Sequence, residues 1–159
     1  MLNEFINSFK SIILASIDEN DFPFNSYAPF IKYNNRYYVY LSDMAKHARN
    51  LKSNPKVSIF FIEDENNCEN IFARKRVIFQ ANSTIIKRGS DKFESILDKF
   101  ENLDKKTVKM TRKMSDFNLF ELEVNYGEAV FGFGRAYNIG GKNFDELIQR
   151  ENQKAHTSK

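Results

Sequence analysis

Few residues in this 159-residue chain are suited to ligand or proton chemistry, so each can be weighed singly. His47 and His156 are the two histidines, and a neutral imidazole is the commonest side-chain metal ligand. His156 stands in the polar stretch QKAHTSK, which has no packing pattern. It reads either as an ordinary tail residue or as a metal ligand on an arm. His47 lies among Lys46 and Arg49 and reads as an exposed helix residue. Arg74 and Arg76 are two apart at the start of a strand-like run, so they are expected on one side of it. Two guanidinium groups so placed suit a carboxylate or phosphate, or simply keep a rim soluble. Asp116 precedes another strand, where a turn role is the ordinary reading.

Other chemistries are excluded or weak. Cys68 is the single cysteine, so an internal disulfide is ruled out, and no Cys/His spacing suggests zinc. Dinucleotide, phosphate-loop, metalloprotease and hydrolase signatures are missing, since the glycines of GFGRAYNIGG lie in and after a strand rather than opening a helix. A net charge of +3 does not argue for nucleic acid. The run Lys105, Lys106, Lys109, Arg112 and Lys113 reads as a solvated helix face. No stretch approaches the ~18 apolar residues of a membrane span. MLNEFINSFKS lacks the pattern of a signal peptide, so a reducing, cytoplasmic setting is expected.

The elements that must position these residues follow from periodicity. Leu2, Phe5, Ile6 and Phe9 are spaced as one helix face. SIILASID, the run from about Phe24 to Tyr33, and RYYVYLS read as three strands, the last two joined by Asn34-Asn35, because asparagine tolerates positive φ. Ser42-Asp43 is the expected cap of a helix in MAKHARNLKS, which Asn54-Pro55 should end. KVSIFFIED is a fourth strand, and a fifth runs from about Phe72 to Lys87. Ser90 should cap a helix with Phe93, Ile96, Leu97 and Phe100 on one face, followed by a basic helical segment. Phe120, Leu122 and Val124 alternate as a strand that Tyr126-Gly127 should break. EAVFGFGRAYNI is expected as a last strand and NFDELIQR as a short final helix. The fold class is therefore mainly β with short helices: about six or seven antiparallel strands in a closed or nearly closed barrel, since closure removes exposed edges. Residues 1–150 form the expected domain and 151–159 a C-terminal tail.

Three stretches carry a resemblance. YLSDMAKHARNLKSNPKVSIFFIED resembles the helix-then-strand signature of flavin-type split barrels. FIEDENNCENIFARKRVIFQANSTIIKR and FELEVNYGEAVFGFGRAYNIGG, with a C-terminal histidine, resemble the HugZ/HutZ-type haem-utilisation branch of the pyridoxamine 5'-phosphate oxidase-like superfamily. The resemblance implies a split-barrel homodimer with its ligand near the subunit interface. It implies His156 as ligand to the haem iron, with Arg76, and next to it Arg74, on the open face. It implies Asp116, in SDFNLFELE, as hydrogen-bond partner of that histidine, an arrangement that fixes the tautomer and strengthens the donor. Flavin-binding relatives commonly have a phosphate-holding lysine where this chain has His47, and imidazole is the poorer phosphate clamp.

The expected function on this resemblance is oxidative cleavage of haem, which serves as both substrate and oxygen-activating cofactor, with Arg74 or lysines pairing the propionates. The electron donor is not indicated. Two other readings stay open: storage or delivery of haem without turnover, and an FMN-dependent oxidoreductase with Ser42, Arg49, Arg74 and Arg76 around the phosphate.

Overall fold

The computed structural model describes residues 1–151. Eight strands alternate with four short helices: α1 Leu2–Asn7, β1 Ser11–Ile17, β2 Pro23–Tyr33, β3 Arg36–Ser42, α2 Lys46–Ser53, β4 Lys56–Ile62, β5 Arg76–Ile86, α3 Asp91–Glu101, α4 Lys105–Thr111, β6 Phe117–Val130, β7 Ala136–Gly140 and β8 Glu146–Gln149. Hydrogen bonding runs β3-β2-β1-β4-β5-β6, and β3 pairs β6 to close a six-stranded antiparallel barrel. The key element is β6. Its residues 117–122 pair with β3, whereas Glu128, Ala129 and Val130 pair with β7. One long strand thus closes the barrel at one end and carries the extra β7–β8 hairpin at the other.

Strand alternation builds the interior. Ile12, Leu14, Ile59, Phe61, Val77, Phe79, Phe120 and Leu122 are all at most 2% exposed. Each such side chain contributes roughly 1.5–3 kcal/mol through burial. In β3 three consecutive residues are buried, because Tyr37 and Val39 join the barrel core while Tyr38 faces the opposite way, into a second core with Phe93, Ile96, Leu97 and Phe100 of α3. That second core is where α3 and α4 cover the barrel. Arg112, which follows α4, binds Glu94, Asp98 and Glu101 of α3. It therefore ties the two helices together and does not belong to a solvated basic face.

Several expectations hold. Asn34 and Asn35 take φ of 48° and 59° in the β2–β3 turn. Asn54 ends α2 in an extended conformation ahead of Pro55, and the Ser90 hydroxyl caps α3 through the Phe93 N–H. Others are corrected. The N-cap of α2 is Ala45, with no side-chain cap, because the Ser42 hydroxyl is spent on the Met44 N–H and on Asp116. A 3-10 turn at Ile71–Ala73, capped by Asn70, delays β5 to Arg76. Tyr126-Gly127 does not end β6. The register with β5 slips between Gln80 and Ala81, leaving Asn125 as the extra residue of a bulge. Gly127 stays in the ladder opposite Phe79, where an added Cβ would lie 2.8 Å from the ring. The break falls instead at residues 131–135, a tight turn with Gly132 and Gly134 at positive φ. Finally, NFDELIQR is not helical. Gly141 and Phe144, both at positive φ, reverse the chain, and Glu146–Gln149 pairs with β7 as β8. Unpaired ladder groups on β7 outweigh the weak helical spacing of a short segment.

Candidate functional site

The two arginines have different surroundings. Arg76 opens β5, but Arg74 caps the preceding 3-10 turn and lies outside the strand, so their side chains do not share a face by strand periodicity. The Arg74 guanidinium donates from Nε to the Glu63 carbonyl at 3.1 Å, again to that carbonyl from Nη2, and from Nη1 to the Glu65 carboxylate at 3.1 Å. It thereby braces the β4–β5 connection. Arg76 makes one side-chain hydrogen bond among the described residues, from Nη1 to the Arg74 carbonyl at 3.0 Å. Among the described residues, most of its donors have no partner.

Register shows what surrounds Arg76. It is paired with Ile62 on one side and Val130 on the other, and Val130 is paired with Ala136. Ala136 lies next to the end of β8, where the Arg150 N–H donates to the Ala136 carbonyl. Arg76 and Arg150 thus sit on the same rung. Two residues along and on the same face, opposite Ile78, Glu128 lies diagonally across from Arg76 and accepts from Arg150 Nη2 at 2.6 Å and from the Tyr126 hydroxyl at 2.9 Å. The hydrogen bond from Arg150 holds Glu128 below the usual carboxylate range, with Arg76 adding to it. Arg150 Nε also donates to Asn138 at 2.8 Å. Sequence reading missed this cluster, because its members meet only through strand register.

The outward face beside it is apolar. Tyr27, Ile13, Phe60 and Ile78 are register partners across β2, β1, β4 and β5, and Glu128 follows on β6. Tyr27 is 68% exposed.

Asp116 lies at the other end of the barrel. Its carboxylate accepts from the Ser42 hydroxyl at 3.2 Å, and its carbonyl accepts from the Asp43 N–H at 2.8 Å. Arg88 donates to the carbonyls of Arg112, Met114 and Phe117, which brackets Asp116 in a fixed turn. Arg76 and Ile86, at the two ends of β5, are about 33 Å apart along the strand at ~3.3 Å per residue. Asp116 lies beyond Leu119, the partner of Ile86. Within one chain, Asp116 and Arg76 are therefore not brought together. The same separation splits the residues expected around an FMN phosphate: Ser42 is with Asp116, Arg49 donates to the carbonyls of Asp43 and Met44, and Arg74 and Arg76 are at the far end.

His47 is half-buried, not exposed as expected. Its Nδ1 is 2.8 Å from the Ser26 hydroxyl, and burial pushes its imidazole below the ordinary value. Beside it the Asn50 amide donates to the fully buried Ser16 hydroxyl at 3.0 Å, which locks α2 onto β1. His156 lies outside the described residues. Among those described, no cluster of three or more histidine, cysteine or acidic side chains could hold a metal ion, and no helix is long and apolar enough to cross a membrane.

Comparison with known proteins places this geometry. The family model for pyridoxamine 5'-phosphate oxidase matches residues 1–131. Haem oxygenase HutZ of Vibrio cholerae is 35% identical over 150 residues, 94% of this chain and 85% of that protein. A crystal structure of Vibrio cholerae HutZ, described as a haem-storage protein, superposes with a TM-score of 0.75 over 84% of this chain and 92% of its own, at 35% identity. Campylobacter jejuni ChuZ superposes with a TM-score of 0.82 at 38% identity over 94% of this chain. This chain spans 60% of the length of ChuZ. The chain belongs to the pyridoxamine 5'-phosphate oxidase family and, within it, to the split-barrel branch that contains HutZ and ChuZ.

Proposed function

We propose that the protein binds haem at the Arg76 end of the barrel and opens the macrocycle oxidatively, releasing iron. The observation that carries this reading is the match, over nearly the whole chain, to a haem oxygenase, combined with an arginine on the outward face whose donors are largely unspent among the described residues.

In this reading His156 ligates the iron from one side. Chain length supports the assignment. Arg150 and Arg76 are separated by three strand spacings, about 14 Å at ~4.8 Å each. The six residue steps from Arg150 to His156 span at most about 22 Å, enough to bring the imidazole over Arg76. The same tail falls short of its own Asp116, a strand length further away. An Asp116–His156 hydrogen bond therefore requires a second copy of the chain. The apolar row Tyr27, Ile13, Phe60 and Ile78 offers the contact surface for it, and an isologous dimer would set the Asp116 end of one copy against the Arg76 end of the other.

Each residue then has a stated task. Arg76 donates hydrogen bonds on the face where oxygen reacts, and preorganised donors aimed at developing negative charge contribute a few kcal/mol. Asp116, immobilised by Ser42 and by the Arg88 bracket, accepts the second imidazole N–H and fixes its tautomer. Arg74 acts on the site through the loop it braces and contributes little to the propionates. Haem supplies the redox chemistry and the chain supplies ligand, orientation and polarity. A reducing, cytoplasmic setting fits this chemistry.

The description of HutZ as a storage protein supports a second reading, haem retention without turnover. Aerobic incubation of the haem complex with ascorbate, in the presence of catalase, separates the two. Loss of the Soret band with release of chelatable iron supports cleavage. A stable Soret band supports storage. A protein that takes up FMN and no haem would overturn both.

A further inference from the structure

α4 carries cations where helix physics disfavours them. Val108 joins the second core and Thr111 is buried, whereas Lys106, Lys109, Met110 and Lys113 are exposed, three or four residues apart on the opposite side. Lys113 continues the spiral past the helix end, its N–H donating to the Met110 carbonyl at 3.3 Å. Like charges at these spacings repel and destabilise a helix. Lys105 and Lys106 also occupy the first turn, where the positive end of the helix dipole favours anions, and no acidic residue stands there. Neighbouring carboxylates do not relieve the stripe. Asp104 is spent as N-cap on the Thr107 N–H and hydroxyl. Glu94, Asp98 and Glu101 of α3 all bind Arg112. Among the described residues no ion pair includes Lys106, Lys109 or Lys113. Cations that repel one another and stay unneutralised suit an anionic partner. The stripe is about 10 Å long at 1.5 Å per residue, with Met110, 55% exposed, set among its lysines. An apolar contact ringed by cations fits a compact acidic protein surface. It does not fit a lipid surface, because the apolar side of α4 is committed to the core.

We infer that the α4 face formed by Lys106, Lys109, Met110 and Lys113 docks an acidic one-electron carrier that reduces the haem. The inference rests on the haem reading and the two-copy arrangement proposed above. Oxidative opening of haem consumes electrons, which a separate donor must deliver. Met114 is two residues from Asp116, and Arg88 ties residues 112–117 to the segment that follows β5. In the two-copy arrangement the stripe of one copy therefore lies at the end that meets the Arg76 end of the other. In each transfer the carrier loses one electron and the ferric haem gains it, becoming ferrous; no bond forms or breaks.

The test is anaerobic reduction of the hemin complex of the full-length protein, followed at the Soret band. Reduced flavodoxin serves as the acidic protein donor and dithionite as the small donor. Wild type is compared with the triple variant Lys106→Gln, Lys109→Gln, Lys113→Gln. Reduction by flavodoxin at low salt should slow about tenfold in the variant. The difference should vanish at about 1 M salt, where the screening length falls to about 3 Å. Dithionite should reduce both proteins at one rate. The variant should be at least as heat-stable as wild type, since it loses only repulsion. Equal flavodoxin rates at low salt, or equal slowing with dithionite, would overturn the inference. If flavodoxin rates are equal and the variant alone fails to bind phosphatidylserine vesicles, the stripe serves a lipid surface and the inference falls. A wild type that shows no Soret band on hemin addition fails the haem reading before any carrier is added, an outcome distinct from failure of the docking role.

Discussion

Arg74 and Arg76 are two positions apart, and their removal should have opposite consequences. Arg74 directs Nε and Nη2 at one carbonyl, that of Glu63, and Nη1 at Glu65. The Glu65 carboxylate is 68% exposed, so that ion pair contributes about 0–1 kcal/mol. The two donors on Glu63 act as one charge-assisted interaction of about 1.5–3 kcal/mol. Arg74→Ala should therefore cost about 2 kcal/mol. For a domain of this length that corresponds to a fall in Tm of about 4–8 °C. Arg76 has one side-chain hydrogen bond among the described residues, to the Arg74 carbonyl. Arg76→Ala should cost under about 1 kcal/mol, or less than ~4 °C, while slowing ascorbate-driven haem loss. Thermal unfolding followed by circular dichroism, with and without hemin, measures both. If Arg76→Ala lowers Tm as much as Arg74→Ala while haem loss proceeds at the wild-type rate, the division between brace and donor is wrong.

Three further outcomes follow from the packing of the barrel and its helices. Asn50→Ala strands the fully buried Ser16 hydroxyl and should cost about 1–3 kcal/mol, whereas the Asn50→Ala, Ser16→Ala double variant should cost less than the two single losses summed, as a double-mutant cycle in urea will show. Gly127→Ala would place a methyl 2.8 Å from the Phe79 ring and 3.0 Å from Ile139 Cβ, so it should destabilise by about 1–3 kcal/mol, visible as a lower urea midpoint. His47, pushed down by burial, binds fewer protons folded than unfolded, so stability is fully present above about pH 6.5 and declines as pH falls below it. Comparing Tm at pH 7.5 and 5.5 should show a smaller drop in His47→Gln than in wild type.

How far the sequence reveals this molecule depends on the range of the interaction. The barrel strands are legible because their buried faces demand apolar residues, which makes short runs rich in branched and aromatic side chains such as SIILASI and KVSIFFI stand out between turn residues. The Asn34-Asn35 turn and the Ser90 cap are legible because their chemistry is local. The strand β8 is not, since LIQR has no signature of its own and is recruited by the open edge of β7. Among the candidate site residues, Arg76 keeps its place on a strand, but the expectation that Arg74 shares its face fails because the strand starts two residues later. Glu128, Tyr126 and Arg150 escaped notice because their meeting depends on the registers of β5, β6, β7 and β8 together, and a one-residue slip in any pairing would part them. The Asn of HARNL, read only as part of a resemblance, has a physical task in holding α2 to Ser16.

The central claim is that this chain holds haem through His156 opposite Arg76. A hemin titration of wild type and His156→Ala, read at the Soret band and by the ferric ligand signature, tests it most directly. The account predicts saturation at one haem per chain with imidazole ligation, and loss or a shift of the band in the variant that added imidazole reverses. Identical spectra and affinities for the two proteins would contradict it.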